Sequence, residues 1–170
     1  EHFLAACSGA GIDNLLVQLD GPEPPAGDGS PRPFYEKLLE CGKTELKRPK
    51  NVFRVTEPCT YSDENGSITV LPCSEFKISY TLHYQNPHIG YQFKELTLDE
   101  KAIQEELLPA RTFCLKSEVE ALQANGQGLG GSLDNAVVVG EDKILNEEGL
   151  RFDDEFVRHK MVDLVGDLML

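Results

Sequence analysis

The sequence predicts an α+β protein of two domains, and three observations support that prediction. Four strand-like runs follow one another between residues 52 and 98, and the turn dipeptide Asn65-Gly66 separates the first two, which favours an antiparallel sheet. Runs with helical patterns stand before and after these strands. The charged segment 43–51 has Leu46 as its only core candidate and is broken by Pro49, so we expect the domain boundary there. The expected domains are residues 1–48 and 49–170.

In the first domain, residues 2–8 predict a helix closed by Gly9 and Gly11, and residues 12–20 predict a strand. Residues 21–33 contain five prolines and three glycines, so they are expected to be irregular. Residues 34–42 fit a short helix that ends at Gly42.

In the second domain, the predicted strands are VFRVTEP, SITVLP, FKISYTLHY and GYQFKELTL. Capping-box spacing at Thr97–Glu100 predicts a helix through Leu108, and the same spacing at Ser117–Glu120 predicts one ending near Gly126. Residues 135–139 predict a strand, and Asp153 or Asp154 is expected to cap a helix that runs to the end. Because the chain starts without Met and stops inside a helical pattern, we expect it to be a fragment.

Charge and cysteine content exclude some classes of function. Sixteen basic and 29 acidic residues give a formal net charge of −13, which disfavours binding to a phosphate backbone. Five cysteines without a C-x-x-C pair indicate free thiols in a reducing cytosol. No apolar run is long enough to span a bilayer. We therefore expect a cytoplasmic protein that does not bind nucleic acid and does not span a membrane.

The last predicted helix carries two different faces. At about 100° per residue, one stripe is apolar and is the expected core face: Val157, Met161, Leu164, Val165 and Leu168. A ridge away from it carries His159, Asp163 and Asp167 at every fourth residue, with Lys160 beside them. Since Phe156 and Leu170 share that side, the ridge is expected to line a semi-buried cleft.

Two of these ridge residues form a candidate metal site. A His and a carboxylate four residues apart on a helix converge on one point, although an ordinary ion pair is the commoner explanation when no third ligand is known. His2 offers that third ligand, and the adjacent Glu1 offers a base, with a helix-start acid as the alternative reading of Glu1. Two His and one carboxylate leave a fourth zinc position for water, and the same ligands also suit Fe²⁺.

The two remaining histidines have no carboxylate at helical spacing. His83 lies in a strand-like run and His88 in a loop, so we expect them to be a strand residue and an exposed residue.

Six motifs carry a resemblance to a known family. They occur in family order at comparable spacing over nearly the whole chain: EHFLAA, GPEPPAGDGS, PARTF, LGGSLDNAVVV, LNEEGLRF and DEFVRHKMVDLVGDL. Read together they resemble the zinc-dependent UDP-3-O-acyl-N-acetylglucosamine deacetylases of lipid A biosynthesis. The resemblance implies hydrolysis of the N-acetyl group with release of acetate, as zinc-bound water attacks the amide carbonyl.

The resemblance also implies roles for individual residues. His2, His159 and Asp163 would bind zinc, Glu1 would be the general base, and the Thr112 hydroxyl would help hold the oxyanion. Lys160 would place a positive charge at the reacting centre and substrate, and Asp167 would orient the site. Three further residues would contact substrate, two of them in an acyl-chain passage built by an insert around residues 113–131: Phe113, Leu122 and Leu129.

The family fold implies two domains, each a mostly antiparallel sheet packed on helices, with the helices between the two sheets and the site at the domain interface. The family's first strands and its second catalytic His, in a G-G-H motif, have no counterpart here, so this chain alone is expected to be inactive. We expect the whole protein to be a monomer acting on a small acylated UDP-sugar. The alternative is a non-catalytic module that binds an acyl-sugar or an acyl carrier.

Overall fold

The computed structural model describes residues 1–119 and 131–169, which combine helices with small sheets, as an α+β fold requires. Its longer helices are α1 (His2–Ala10), α2 (Arg32–Cys41) and α4 (Glu155–Asp167). A short helix, α3 (Glu100–Ala102), continues as one turn of π-helix, Ile103–Leu107. The strands are β1 (Cys59–Ser62), β2 (Ser67–Val70), β3 (Lys77–His83), β4 (Tyr91–Thr97), β5 (Phe113–Leu115) and β6 (Val137–Val139).

Helix α1 forms where the sequence predicts it and extends to Ala10. It ends because Gly11 adopts a left-handed φ of 64° and donates its N–H to carbonyls of the last turn. Gly9, expected to close the helix, lies inside it instead, where a Cβ would stand 3.0 Å from the side chain of Leu108. Small residues therefore let this helix pack closely on its neighbours.

Helix α4 is the central element of the described fold because it packs on α1, β3, β4 and the π-turn. The predicted core stripe is confirmed at Val157, Met161 and Val165, all at most 2% exposed. The prediction is wrong for Leu168, which is 54% exposed because the helix ends at Asp167. Phe156 and Val162 are also fully buried, so α4 buries more than one face.

Two hydrophobic clusters meet on α4. The first joins it to α1, β3 and the π-turn, with these fully or nearly buried members: Ala5, Ile78, Leu98, Ile103, Leu107, Leu108, Met161, Val162 and Val165. The second joins α4 to β3 and β6 through Leu82, Ile89, Val137, Val139, Phe156 and Val157. Burial on two sides fixes the position and rotation of α4.

Among the described residues, two of the three sheets are antiparallel as predicted, but they are separate two-stranded pairs and not one sheet of four strands. Strands β3 and β4 form an antiparallel pair, which runs from Lys77 with Thr97 to His83 with Tyr91. The Asn65-Gly66 hairpin is also confirmed, but its first strand is Cys59–Ser62 rather than residues 52–58. The third pair is parallel and includes β5, a three-residue strand that the sequence patterns do not predict.

The strand predicted at residues 12–20 is wrong. No part of the described chain pairs with this segment, and its leucines and Val17 are exposed, with Leu16 84% accessible. A strand requires a hydrogen-bonded neighbour, and alternation in the sequence cannot supply one.

The helix predicted from Thr97 begins two residues later. Asp99 is its cap residue and accepts the Ala102 N–H through its side chain, while Thr97 is still the last residue of β4. Residues 116–119 are helical, as the second capping signature predicts, but the predicted end of that helix lies outside the described residues. Within the described ranges, no helix is both long enough and apolar enough to cross a membrane.

Candidate metal centre

Three potential ligands from the two ends of the described chain converge. The Nε2 atoms of His2 and His159 are 3.0 Å apart, and the Asp163 Oδ1 lies 3.7 Å from the first and 3.4 Å from the second. Within residues 1–119 and 131–169, this is the only group of three or more such side chains close enough to hold one metal ion.

The convergence depends on how α1 meets α4. His2 is the first residue of α1, while His159 and Asp163 stand one turn apart on α4. The two helices approach closely at Gly166, where a Cβ would lie 2.2 Å from the Glu1 carbonyl oxygen. Glycine is therefore required at this contact, since backbone atoms cannot move aside as a side chain can.

His159 is held so that one ring nitrogen faces the other two candidate ligands. Its side chain is 1% exposed, and its Nδ1 lies 3.0 Å from the Ala110 carbonyl oxygen, which can only accept a hydrogen bond. The proton is therefore on Nδ1, and the lone pair of Nε2 faces His2 Nε2, where it can accept a hydrogen bond or bind a cation. Burial lowers the pKa of His159 to about 4, although Asp163 opposes the shift, so the ring is neutral at pH 7.

His2 and Asp163 are half-buried. Burial lowers the pKa of His2, again against the attraction of Asp163, so a neutral ring is favoured here too. The Asp163 carboxylate divides its oxygens: Oδ1 faces the histidines and Oδ2 accepts a hydrogen bond from Lys160 Nζ at 3.0 Å. One oxygen is thus left as a ligand atom.

The donor set fits zinc. Ligands about 2.0–2.2 Å from a tetrahedral ion lie about 3.4 Å from one another, close to the separations seen here. Neutral imidazole nitrogens and a carboxylate oxygen are the chemical types that zinc and ferrous iron accept. Three protein ligands leave one position open, as in catalytic sites.

Lys160 and Phe113 adjoin the three ligands. Burial opposes the charge of Lys160, but the neighbouring Asp163 carboxylate outweighs it and the pKa of the ammonium is raised. Its Nζ lies 5.6 Å from the Phe113 ring centroid, and Phe113 also packs edge-on against Tyr84 and Phe156. A permanent positive charge thus stands beside the ligand cluster.

Other predicted site residues have fewer contacts. Thr112 is half-buried two residues beyond Ala110, and its hydroxyl makes no hydrogen bond among the described residues. Glu1 is exposed next to His2. Asp167 is exposed at the end of α4, without an ion pair in the described parts of the chain, and Leu122 and Leu129 lie outside them. His83 is an exposed strand residue as expected, whereas His88 is half-buried.

A small apolar cavity of about 260 Å³ opens beside the parallel pair β5–β6. It is lined by Cys114, Val119, Gly131, Ser132, Leu133, Ala136 and Val138. Cys114, the residue after Phe113, lines this cavity. Part of the lining belongs to the segment around residues 113–131 that is predicted to be an acyl-chain insert.

The sequence patterns miss three features of this centre. The Ala110 carbonyl that holds His159 is a backbone group, so no residue type signals it. Gly166 is a glycine inside a helical pattern, a signal of close packing that the spacing argument leaves unused. Arg111 and Glu155 form a buried ion pair beside His159, and only their presence in the PARTF and DEFVRHK motifs could have indicated it.

Comparison with known proteins gives one consistent match. A sequence model of the UDP-3-O-acyl N-acetylglycosamine deacetylase (LpxC) family matches residues 1–170. UDP-3-O-acyl-N-acetylglucosamine deacetylases from Syntrophotalea carbinolica and Geotalea uraniireducens are each 44% identical over 170 residues, all of this chain and 55% of each relative. The protein of that name from Bdellovibrio bacteriovorus is 43% identical over 169 residues, 99% of this chain and 56% of the relative. The chain thus spans about half the length of the curated relatives it matches.

Proposed function

Because this chain belongs to the UDP-3-O-acyl N-acetylglycosamine deacetylase family, we propose that it supplies the metal-binding part of a hydrolase. The complete protein would remove the N-acetyl group from UDP-3-O-acyl-N-acetylglucosamine and release acetate, a step of lipid A biosynthesis. The observation that carries this proposal is the convergence of His2, His159 and Asp163 from opposite ends of the described chain.

These three residues would hold the metal, with Zn²⁺ as the proposed ion and Fe²⁺ as the alternative that the ligands also accept. When bound, the cation supplies Lewis-acid activation of water and of the amide carbonyl. The Ala110 carbonyl keeps the His159 Nε2 available, and Lys160 keeps Asp163 oriented through its second oxygen.

Glu1 is the proposed general base. It directly precedes His2 and is exposed, and its carboxylate would take the proton of a water at the cluster as that water attacks. The water oxygen then bonds to the amide carbon, the C–N bond breaks, and acetate leaves as the amine nitrogen takes up the proton that Glu1 removed from the water.

Negative charge that develops on the carbonyl oxygen needs preorganised donors. The Lys160 ammonium next to the cluster is the proposed charge. The Thr112 hydroxyl, which has no hydrogen-bond partner in the described ranges, is the proposed hydrogen-bond donor. Donors of this kind stabilise a transition state by roughly 3–4 kcal/mol each. Asp167 is proposed to orient the site.

Substrate recognition is proposed around β5. Phe113 would contact the substrate near Lys160, and the apolar cavity next to it has the chemistry to receive a fatty acyl chain. The proposed passage includes Leu122 and Leu129. We further propose a cytoplasmic, monomeric protein whose domains divide near residue 48, with the site at their interface.

The test is metal content together with acetate release by the complete protein. Asp163→Ala and His159→Ala are expected to lose both stoichiometric zinc and turnover, because each removes a ligand. The control is His83→Ala, which removes an exposed histidine of β3. Turnover retained by the ligand variants would refute the proposal. Binding of the acylated UDP-sugar without acetate release, zinc being supplied, would instead identify a non-catalytic binding module.

A further inference from the structure

One peptide group links two side chains of α4 that stand one turn apart. The Arg111 N–H donates to Glu155 Oε1 at 2.9 Å, and the Ala110 carbonyl of the same peptide group accepts from His159 Nδ1 at 3.0 Å. Because Glu155 and His159 are four residues apart on the helix, their side chains reach opposite edges of a single planar peptide group. Glu155, the peptide and His159 form a continuous chain of hydrogen bonds.

The carboxylate in this chain is buried and fully engaged. Glu155 is 0% exposed, and its oxygens also accept hydrogen bonds from the Arg111 guanidinium and from the Arg151 N–H. The guanidinium is held in turn by Glu148 and by the Gly149 carbonyl. The Arg111 cation therefore compensates the charge that Glu155 brings into the interior.

A peptide group transmits polarisation from one side to the other. When its N–H donates to a carboxylate, its carbonyl oxygen becomes a stronger acceptor, since hydrogen bonds in a chain strengthen one another in a low dielectric. A stronger acceptor at Ala110 fixes the proton of His159 on Nδ1 and increases the electron density at Nε2. Carboxylates that hydrogen-bond directly to metal-ligating histidines act in this way.

We propose that Glu155 is a positioning residue for His159 that acts through the Ala110–Arg111 peptide group. It fixes the ring orientation and tautomer of His159, so that Nε2 faces His2 and Asp163. The metal-related part of this inference rests on the proposed function, whereas the hydrogen-bond part concerns the protein without metal. The competing interpretation is that Arg111 and Glu155 are an ion pair that contributes to folding only.

The first measurement needs no metal and no substitution. In the complete, metal-free protein, hydrogen exchange of the His159 Nδ1 proton and of the Arg111 amide proton is followed by NMR. If one clamped peptide holds both protons, they have the same protection factor, which is the intrinsic exchange rate of each proton divided by its observed rate, because both exchange through the same opening. A much lower protection factor for the His159 proton would overturn the proposal, and this outcome does not depend on how any variant folds.

The second measurement compares substitutions that remove the charge of two glutamates, both of which bind the Arg111 guanidinium. Glu155→Gln removes the charge that polarises the Ala110–Arg111 peptide group. Glu148→Gln removes the charge of an exposed residue that pairs with the Arg111 guanidinium and not with this peptide group. In Glu155→Gln the His159 Nδ1 proton is expected to shift upfield, and zinc affinity is expected to fall about 10- to 100-fold. Glu148→Gln is expected to leave both unchanged.

The outcomes distinguish the positioning of His159 by Glu155 from the proposed metal function. Equal effects of the two substitutions on the His159 proton would overturn the role of Glu155. If the unsubstituted protein binds no zinc while the proton results hold, the proposed metal function fails. The positioning of His159 by Glu155 through the peptide group then still stands. Arg111→Lys keeps the backbone N–H, so it is expected to lower stability while the Nδ1 proton shift is retained; loss of that shift would support the simple ion pair.

Discussion

At the scale of single residues, each candidate ligand on α4 is held by one neighbouring group. The Ala110 carbonyl accepts from His159 Nδ1, and Lys160 Nζ donates to Asp163 Oδ2. The spacing of His159 and Asp163 makes them candidate ligands, because helix geometry places their side chains together. An ion pair is the commoner explanation of that spacing until a third ligand, here His2, is identified. The Ala110 carbonyl could not be predicted in this way, since every residue has such a group and only folding brings one to Nδ1. Site prediction from sequence therefore reaches the candidate ligands but not the backbone group that orients His159.

A substitution of Lys160 tests the role of the positive charge next to the candidate ligands. Lys160→Met in the complete protein is expected to lower deacetylase turnover on the order of 10²- to 10³-fold, because the ammonium no longer faces the developing negative charge. Zinc stoichiometry is expected to be retained, since Asp163 remains as a ligand. Turnover and zinc content are compared with those of Lys101→Met, which removes an exposed lysine. Full turnover of Lys160→Met would contradict the role of this charge.

At the scale of elements, local patterns succeed where an element depends on its own residues. Strands β3 and β4 and helices α1, α2 and α4 all form at the predicted places. The prediction fails at residues 12–20 and 52–58, where the patterns are strand-like but no described segment pairs with them. It also misses β5, since a three-residue strand in a parallel pair carries too little periodicity to be recognised.

The contact between α1 and α4 gives an element-scale prediction. Gly166→Ala places a Cβ against the Glu1 backbone, which forces the two helices apart. Unfolding free energy is expected to fall by about 1–3 kcal/mol, as in other overpacked contacts. Zinc affinity is expected to fall as well, because His2 moves away from His159. Denaturant titration and zinc competition measure the two effects.

The matched control is Gly21→Ala, since nothing lies within 4 Å of a Cβ built at Gly21. Unchanged stability and zinc affinity in Gly166→Ala would contradict the close approach of α1 and α4.

The loop before α2 supplies a prediction on pH. Burial alone would raise the pKa of Asp28, but hydrogen bonds from Ser30 and Arg151 outweigh it and hold the pKa below its ordinary value of 3.8. Its stabilising contribution is therefore present above that value and is lost as the pH falls through the folded-state pKa. Asp28→Asn is expected to lower the free energy of unfolding by about 1 kcal/mol at pH 7 and by less at pH 3.

Urea unfolding of both proteins at the two pH values measures this difference. A cost of Asp28→Asn that is equal at pH 3 and pH 7 would show that the charge of Asp28 does not stabilise the loop.

At the scale of the whole molecule, the centre joins residues 157 positions apart in the sequence. No local pattern determines such a contact; family resemblance predicts it, and the packing of α1 on α4 explains it. The two-domain division near residue 48 stays a prediction. The described residues 42–58 contain no helix or strand, as a connecting segment would.

Metal binding is expected to stabilise the whole protein because the ligands come together only in the folded state. A ligand present at 100 times its Kd adds about 2.7 kcal/mol to the free energy of unfolding. Chelation of zinc is therefore expected to lower the Tm, and His2→Ala is expected to make the Tm insensitive to the chelator. A chelator effect of equal size in His2→Ala would place the stabilising metal elsewhere.

The most direct test of the account is a crystal structure of the complete protein with zinc, with the ion located by anomalous scattering at the zinc edge. The account predicts one ion about 2.0–2.2 Å from His2 Nε2, His159 Nε2 and an Asp163 carboxylate oxygen. A zinc ion bound without His2, or a His2 ring turned away from His159 and Asp163, would contradict it.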